Sequence, residues 1–163
     1  LKILIKETTR EDLQNVMNLW NAGEVMFYVG FPNGLNVNIE QMENWLKTVN
    51  KDIFRKHYSI YEEELGFCGE TFYSVDKNND LAALDIKLFP YAQGRGIARY
   101  ALSYAISEVF TKDLASRAYV EPNPKNEKAL KLYERLGFIS KKRPEFLEEY
   151  ETYLEITKES LKE

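Results

Sequence analysis

The chain is poor in the residues that staple or metallate a small fold. Its one cysteine, Cys68, has no partner for an internal disulfide. With a single histidine, His57, there is no Cys/His spacing for zinc, and no metal is expected. No apolar run approaches the length of a membrane span and no signal-peptide pattern is seen, so a cytoplasmic protein without a membrane partner is expected. Lys and Arg number 22 against 26 Asp and Glu, a formal net charge of -4. That balance argues against a nucleic-acid surface and suits a cationic substrate. Eight glycines and five prolines form no low-complexity linker, and no internal repeat is present. What is there is a globular composition, 44% hydrophobic and 29% charged, over 163 residues. One domain, spanning residues 1–163 with a sizeable core, is the simplest reading.

The stretch Leu81–Ala98 organises the rest. It begins as an apolar run that reads as a buried strand, and Pro90 stops it because proline has no N–H for a ladder. Gln93, Gly94, Arg95, Gly96, Ile97 and Ala98 follow, and a helical period starts behind them. A strand thus feeds a glycine loop that opens a helix, whose first N–H groups and dipole favour an anion. Arg95 and Arg99 add positive charge. A dinucleotide fingerprint fails, since Arg99 stands where its third glycine belongs, and no Walker Gly-Lys-Ser/Thr is present. The spacing Q-x-x-G-x-A, filled by Gln93, Gly96 and Ala98, resembles the acetyl-CoA loop of the GNAT superfamily of N-acetyltransferases.

A second segment resembles the same family. Asn126 to Phe138 spells N-x-x-A-x-x-x-Y-x-x-x-G-F, with Ala129, Tyr133, Gly137 and Phe138 at the marked positions. Physically it is a helix with Ala129, Leu132, Tyr133 and Leu136 on one face and a glycine suited to the left-handed residue after its last turn.

The resemblance implies an α/β (α+β) fold, a mixed, mostly antiparallel central sheet with helices on both faces. It implies acetyl-CoA as donor, its pyrophosphate cradled by the Gly94–Ala98 backbone. It implies strand backbone at Ile86, Lys87 and Leu88 for the pantetheine arm and thioester carbonyl, where an N–H would stabilise a tetrahedral oxyanion. Asn126 matches an asparagine that contacts the cofactor arm, and Tyr133 a tyrosine that often protonates the departing thiolate.

The residues themselves fill in the remainder. Leu1–Lys6 alternates as a strand, and Thr9–Asp12 reads as a capped start to a helix carrying Leu13, Val16, Met17 and Trp20. Residues 21–37 read as a loop. A second helix opens at Asn38, with Gln41 capping back and Met42, Trp45, Leu46 and Val49 as its buried face. Tyr58–Glu62, Leu65–Val75 and Leu81–Leu88 make a meander, with a turn over 76–80. A helix from Gly96 to about Lys112, a strand Ser116–Val120, the helix Asn126–Leu136, and strands Phe138–Lys141 and about Glu148–Ile156 complete the order.

Asp85 is the first candidate for the base that deprotonates the acceptor amine. A carboxylate inside an apolar strand is costly unless paired or functional. Its place relative to Gln93 resembles that of an aspartate in aminoglycoside 6′-N-acetyltransferases. The competing account is a pair with Lys87, two residues on and on the same strand face. Glu70, beside Gly69 in the adjacent strand, is the second candidate. His57 reads as an exposed edge residue, and Cys68 as a packed small side chain.

For the acceptor, Asp85, the net charge and acidic residues such as Glu24 and Glu62–Glu64 favour a small polycationic amine, an aminoglycoside or polyamine. In the family layout the loop with Glu24, Met26, Phe27, Tyr28 and Phe31 helps line the acceptor site. That loop also resembles ribosomal-protein N-terminal acetyltransferases, so a peptide N-terminus is the alternative, and a non-catalytic acyl-CoA-binding module is a third. A monomer or homodimer is expected.

Overall fold

The computed structural model describes residues 1–162. Strand β1 (Ile3–Glu7) is followed by a 3-10 turn at Arg10–Asp12 and helix α1 (Leu13–Trp20). The Thr9 N–H donates to Asp12 Oδ2 at 2.8 Å, which closes the start of this turn. Short turns follow as α2 (Gly23–Met26) and a 3-10 turn at Phe27–Val29, where a plain loop is expected from the sequence. Helix α3 (Ile39–Leu46) opens on a reciprocal box: the Gln41 N–H donates to Asn38 Oδ1 at 2.9 Å, and the Asn38 N–H to Gln41 Oε1 at 2.8 Å.

The meander is β2 (Arg55–Glu62), β3 (Gly66–Asp76) and β4 (Leu81–Leu88). A 3-10 turn at Pro90–Ala92 leads to α4 (Ile97–Thr111), then β5 (Arg117–Val120), α5 (Glu127–Leu136), β6 (Ile139–Ser140) and β7 (Leu154–Thr157). The seven strands form one sheet in the order β1-β2-β3-β4-β5-β7-β6, antiparallel except for β4 beside β5.

The expected last strand, Glu148–Ile156, shrinks to β7. Arg143 explains the loop before it: its guanidinium donates to the carbonyls of Glu148 at 2.8 Å and Thr152 at 2.9 Å, and pairs with Glu121. A side chain thus satisfies carbonyls that a ladder would otherwise use.

Helices pack on both faces. On one, α4 and α5 bury Leu102, Ile106, Val109, Tyr133 and Leu136 against Tyr73, Leu84, Ala118 and Ile156. On the other, α1 and α3 bury Leu13, Val16, Leu19 and Met42 with Phe67. Among the described residues no helix is long and apolar enough to cross a membrane.

Two topological facts position the site. The parallel pairing of β4 with β5 covers only Leu81–Ala83 against Arg117–Tyr119. Beyond it β5 runs into Glu121-Pro122-Asn123-Pro124, where two residues lack an N–H to pair. From Leu84 to Leu88, β4 therefore has β3 on one side and, among the described residues, no strand on the other.

Candidate active site

The open edge of β4 leads directly to the start of α4. Gly94 and Gly96 have φ of +74° and +81°, left-handed values that L side chains rarely adopt, and a Cβ at either would meet nothing within 4 Å. The first main-chain bond of α4 runs from the Tyr100 N–H to the Gly96 carbonyl. Among the described residues, no main-chain acceptor takes the N–H groups from Gly94 to Arg99. The result is an open cradle of donors at the positive end of a 15-residue helix, fit for a pyrophosphate. Gln93 Nε2 donates to the Leu88 carbonyl at 3.3 Å, tying the loop to the strand end. Arg95 is exposed, with Nε on the Tyr91 carbonyl at 3.1 Å, and Arg99 is half-buried. Ile97 is fully buried and Ala98 half-buried, so at Ile97 only backbone remains for a ligand.

Asp85 stands on β4 where that edge opens. One carboxylate oxygen accepts the Ile86 N–H at 2.8 Å, and the other pairs with Lys87 Nζ. The carboxylate keeps about a third of its surface, 32%, in contact with solvent. Both features of the sequence reading coexist: the pair with Lys87 is made, and the group is still reachable. Tyr133 lies in α5, across the gap from β4. Burial pushes its phenol well above the ordinary tyrosine value, and the nearby Asp85 charge adds to the rise. Its hydroxyl therefore stays protonated at any physiological pH. Gly137, which ends α5 at φ +107°, also lets the chain pass Ser160, whose carbonyl would sit 1.8 Å from a Cβ. Asn126 caps α5, with Oδ1 accepting the Ala129 N–H at 3.2 Å.

The face of the meander turned away from α4 and α5, which carries Asp85 and Lys87, holds a cavity of about 290 Å³. Trp20, Trp45, Phe72 and His57 wall it, and Arg55, Lys56, Glu70, Ser74 and Lys87 add polar groups. Cross-strand register brings these together: His57 pairs with Phe72 and Phe72 with Asp85, while Ser59 pairs with Glu70 and Glu70 with Lys87. Glu70 is almost wholly buried yet fully satisfied. Trp20 Nε1 donates to Oε1 at 2.6 Å, His57 Nε2 to the same oxygen at 2.9 Å, and Lys87 Nζ lies 3.7 Å from Oε2. Burial alone would raise its pKa. The His57 and Lys87 charges and the donated hydrogen bonds win, and hold it down to about 2. On the other side of the ring, His57 Nδ1 lies 2.7 Å from Thr8 Oγ1, and Thr8 Oγ1 meets Ser59 Oγ at 2.7 Å. Lys87 is desolvated, which would lower its pKa. Asp85 and Glu70 outweigh that and push it up.

His57 is therefore not the exposed edge residue expected from the sequence. It is 2% exposed, because β2 begins at Arg55 rather than Tyr58 and carries the ring under Trp45. Of the five residues expected to line the acceptor site, Glu24, Phe27, Tyr28 and Phe31 are exposed and do not border this cavity, whereas the buried Met26 does. The same segment adds Leu35. Tyr28 lies beside the β5–α5 connection, where its carbonyl accepts from Asn123 Nδ2 at 3.1 Å. Glu62 is buried in the β2–β3 turn and accepts the Glu64 and Leu65 N–H groups. Among the described residues no cluster of side chains could hold a metal ion.

The sequence profile of the acetyltransferase (GNAT) domain matches residues 2–139. No curated protein sequence matches the chain. A spermidine N-acetyltransferase from Vibrio cholerae, solved with CoA and spermine, is similar in structure, with a TM-score of 0.81 at 21% identity, over 97% of this chain and 96% of that one. A GNAT-family acetyltransferase from Streptococcus pneumoniae gives 0.77 at 17% identity, over 96% and 99%. A domain from Methanocaldococcus jannaschii gives 0.77 at 21% identity, over 96% and 98%. At these identities the likeness is one of fold, and the profile match carries the family: this chain is a member of the GNAT acetyltransferases.

Proposed function

We propose that this chain transfers the acetyl group of acetyl-CoA to a primary amine of a small molecule that enters the cavity between α1, α3 and the sheet. The observation that carries the reading is the unpaired edge of β4 from Leu84 to Leu88, which ends on the open donor cradle of α4. Acetyl-CoA supplies an activated thioester carbonyl when bound. The backbone N–H groups from Gly94 to Arg99, with the charges of Arg95 and Arg99, hold the pyrophosphate. The main chain at Ile86, Lys87 and Leu88 and the side chain of Asn126 hold the arm. The Ile86 N–H is the donor for a developing oxyanion, and it passes to that role when Asp85 turns away from it.

Asp85 takes the proton of the acceptor amine, directly or through a water that it orders. Lys87 orients the carboxylate from the cavity side. Tyr133, kept protonated by burial, gives its proton to the departing thiolate. Glu70 holds its own proton too weakly to serve as a base near neutrality, so its part is to fix Lys87 and His57. The cavity lies near the lower end of the range for small-molecule sites, which supports a compact acceptor.

The test is thiol release from acetyl-CoA by wild type and Asp85→Asn. Wild type should release thiol only when a primary amine is present. Asp85→Asn should keep the rise in Tm that acetyl-CoA induces and lose most of its kcat/KM for the amine. Amine-independent release, or full activity in a stable Asp85→Asn protein, would contradict the proposal.

A further inference from the structure

The charges around the cavity do not make an acidic site. Among the described residues four basic side chains border it, Arg55, Lys56, His57 and Lys87, against one carboxylate, Glu70. That carboxylate is taken up by Trp20, His57 and Lys87. Lys87 is shared between Glu70 and Asp85. Lys56 turns its ammonium to Glu7, at 2.9 Å. Arg55 alone has no ion-pair partner among the described residues. It lies two residues before His57 on β2, hence on the same sheet face, opposite Ser74. The walls between are aromatic, with Trp20 edge-on to Trp45 at 4.7 Å and Phe72 beside His57 at 6.0 Å.

Building on the acetyl-transfer reading, we infer that the acceptor is a compact amine on an aromatic body, with an anionic group at its far end that Arg55 holds. A second ammonium in this cavity would find no free carboxylate and would face Arg55 and Lys87, so it would lose its hydration without a partner. A carboxylate at the same place meets an unpaired guanidinium whose fork suits it. Polycations are thereby selected against, although the net charge of the whole chain is negative. The local field in the cavity, not the sum over the surface, decides which amine enters.

Three amines sharing one benzylic frame test this: para-(aminomethyl)benzoate, benzylamine and para-bis(aminomethyl)benzene. They differ only in carrying a negative, absent or positive far end. Turnover is followed by thiol release. Binding is followed separately by tryptophan fluorescence, since both tryptophans of the chain, Trp20 and Trp45, line the cavity. Wild type should favour the carboxylate over benzylamine by about tenfold in both measures, the scale of one charge-assisted hydrogen-bonded pair, and bind the diamine worst. Arg55→Met should level the first two, and Arg55→Glu should raise the diamine above the carboxylate. Arg55 is exposed, so both variants should keep the wild-type Tm.

A wild-type preference for the diamine, or equal binding of all three, overturns the inference and leaves acetyl transfer standing. An unchanged ranking in Arg55→Glu overturns the assignment to Arg55. Thiol release with none of the three counts against the acetyl-transfer reading, and the fluorescence ranking still decides whether the cavity selects an anion.

Discussion

Glu70 shows how a buried charge is tolerated here. Its burial cost is met from three different elements: hydrogen bonds from Trp20 on α1 and His57 on β2, and an ion pair with Lys87 on β4. The consequence is a pH dependence with a definite sign. The folded value, about 2, lies below the ordinary 4.5, so the unfolded chain binds the proton more readily. Stability contributed by Glu70 is thus complete above about pH 4.5 and is lost as the pH falls toward 2, on the order of a few kcal/mol. Denaturant midpoints measured from pH 6 downward should fall steeply in wild type. Glu70→Gln should start lower, since Lys87 and His57 lose a charged partner, and should fall less. Parallel slopes would mean that Glu70 is not held low. The sequence pointed to Glu70 and Asp85 as carboxylates in apolar strands but missed His57 as their neighbour. The reason is non-local: His57 and Glu70 meet only through the β2–β3 register, and one misjudged strand start turned a buried ring into an exposed one.

Elements whose signals are local were legible. The α3 capping box, the α5 glycine terminus and the strand–loop–helix of β4 and α4 each depend on residues within one turn of each other, and the structure forms them as read. The stretch before β7 was not legible, because its carbonyls are satisfied by Arg143 rather than by a ladder. The turns at Gly23–Met26 and Phe27–Val29 are too short for a periodic pattern to show. The start of α4 carries its own prediction. Gly96→Glu places a carboxylate among the free N–H groups and strains a left-handed residue. The folded variant should lose the rise in Tm that acetyl-CoA gives wild type, and the same rise in the variant would put the pyrophosphate elsewhere.

For the whole molecule, what matters is that β4 and β5 part after three paired residues. Pro122 and Pro124 keep the chain beyond β5 from extending the ladder, and the sequence shows them. The gap itself follows only once β4 is known to lie parallel to β5 within the sheet. Across the gap, Tyr133 on the α4 side of the sheet lies near enough to Asp85 for that charge to add to the rise of its phenol pKa. Were Tyr133 only a core aromatic packed on Phe138, with ring centroids 5.4 Å apart, its hydroxyl would be dispensable. The measurement that separates these accounts is kcat for amine acetylation by Tyr133→Phe, with the acetyl-CoA-induced Tm shift taken on the same sample. Proton donation by Tyr133 predicts an unchanged shift and a kcat lower by roughly 10²-fold. Wild-type kcat in a folded, acetyl-CoA-binding Tyr133→Phe protein would contradict it.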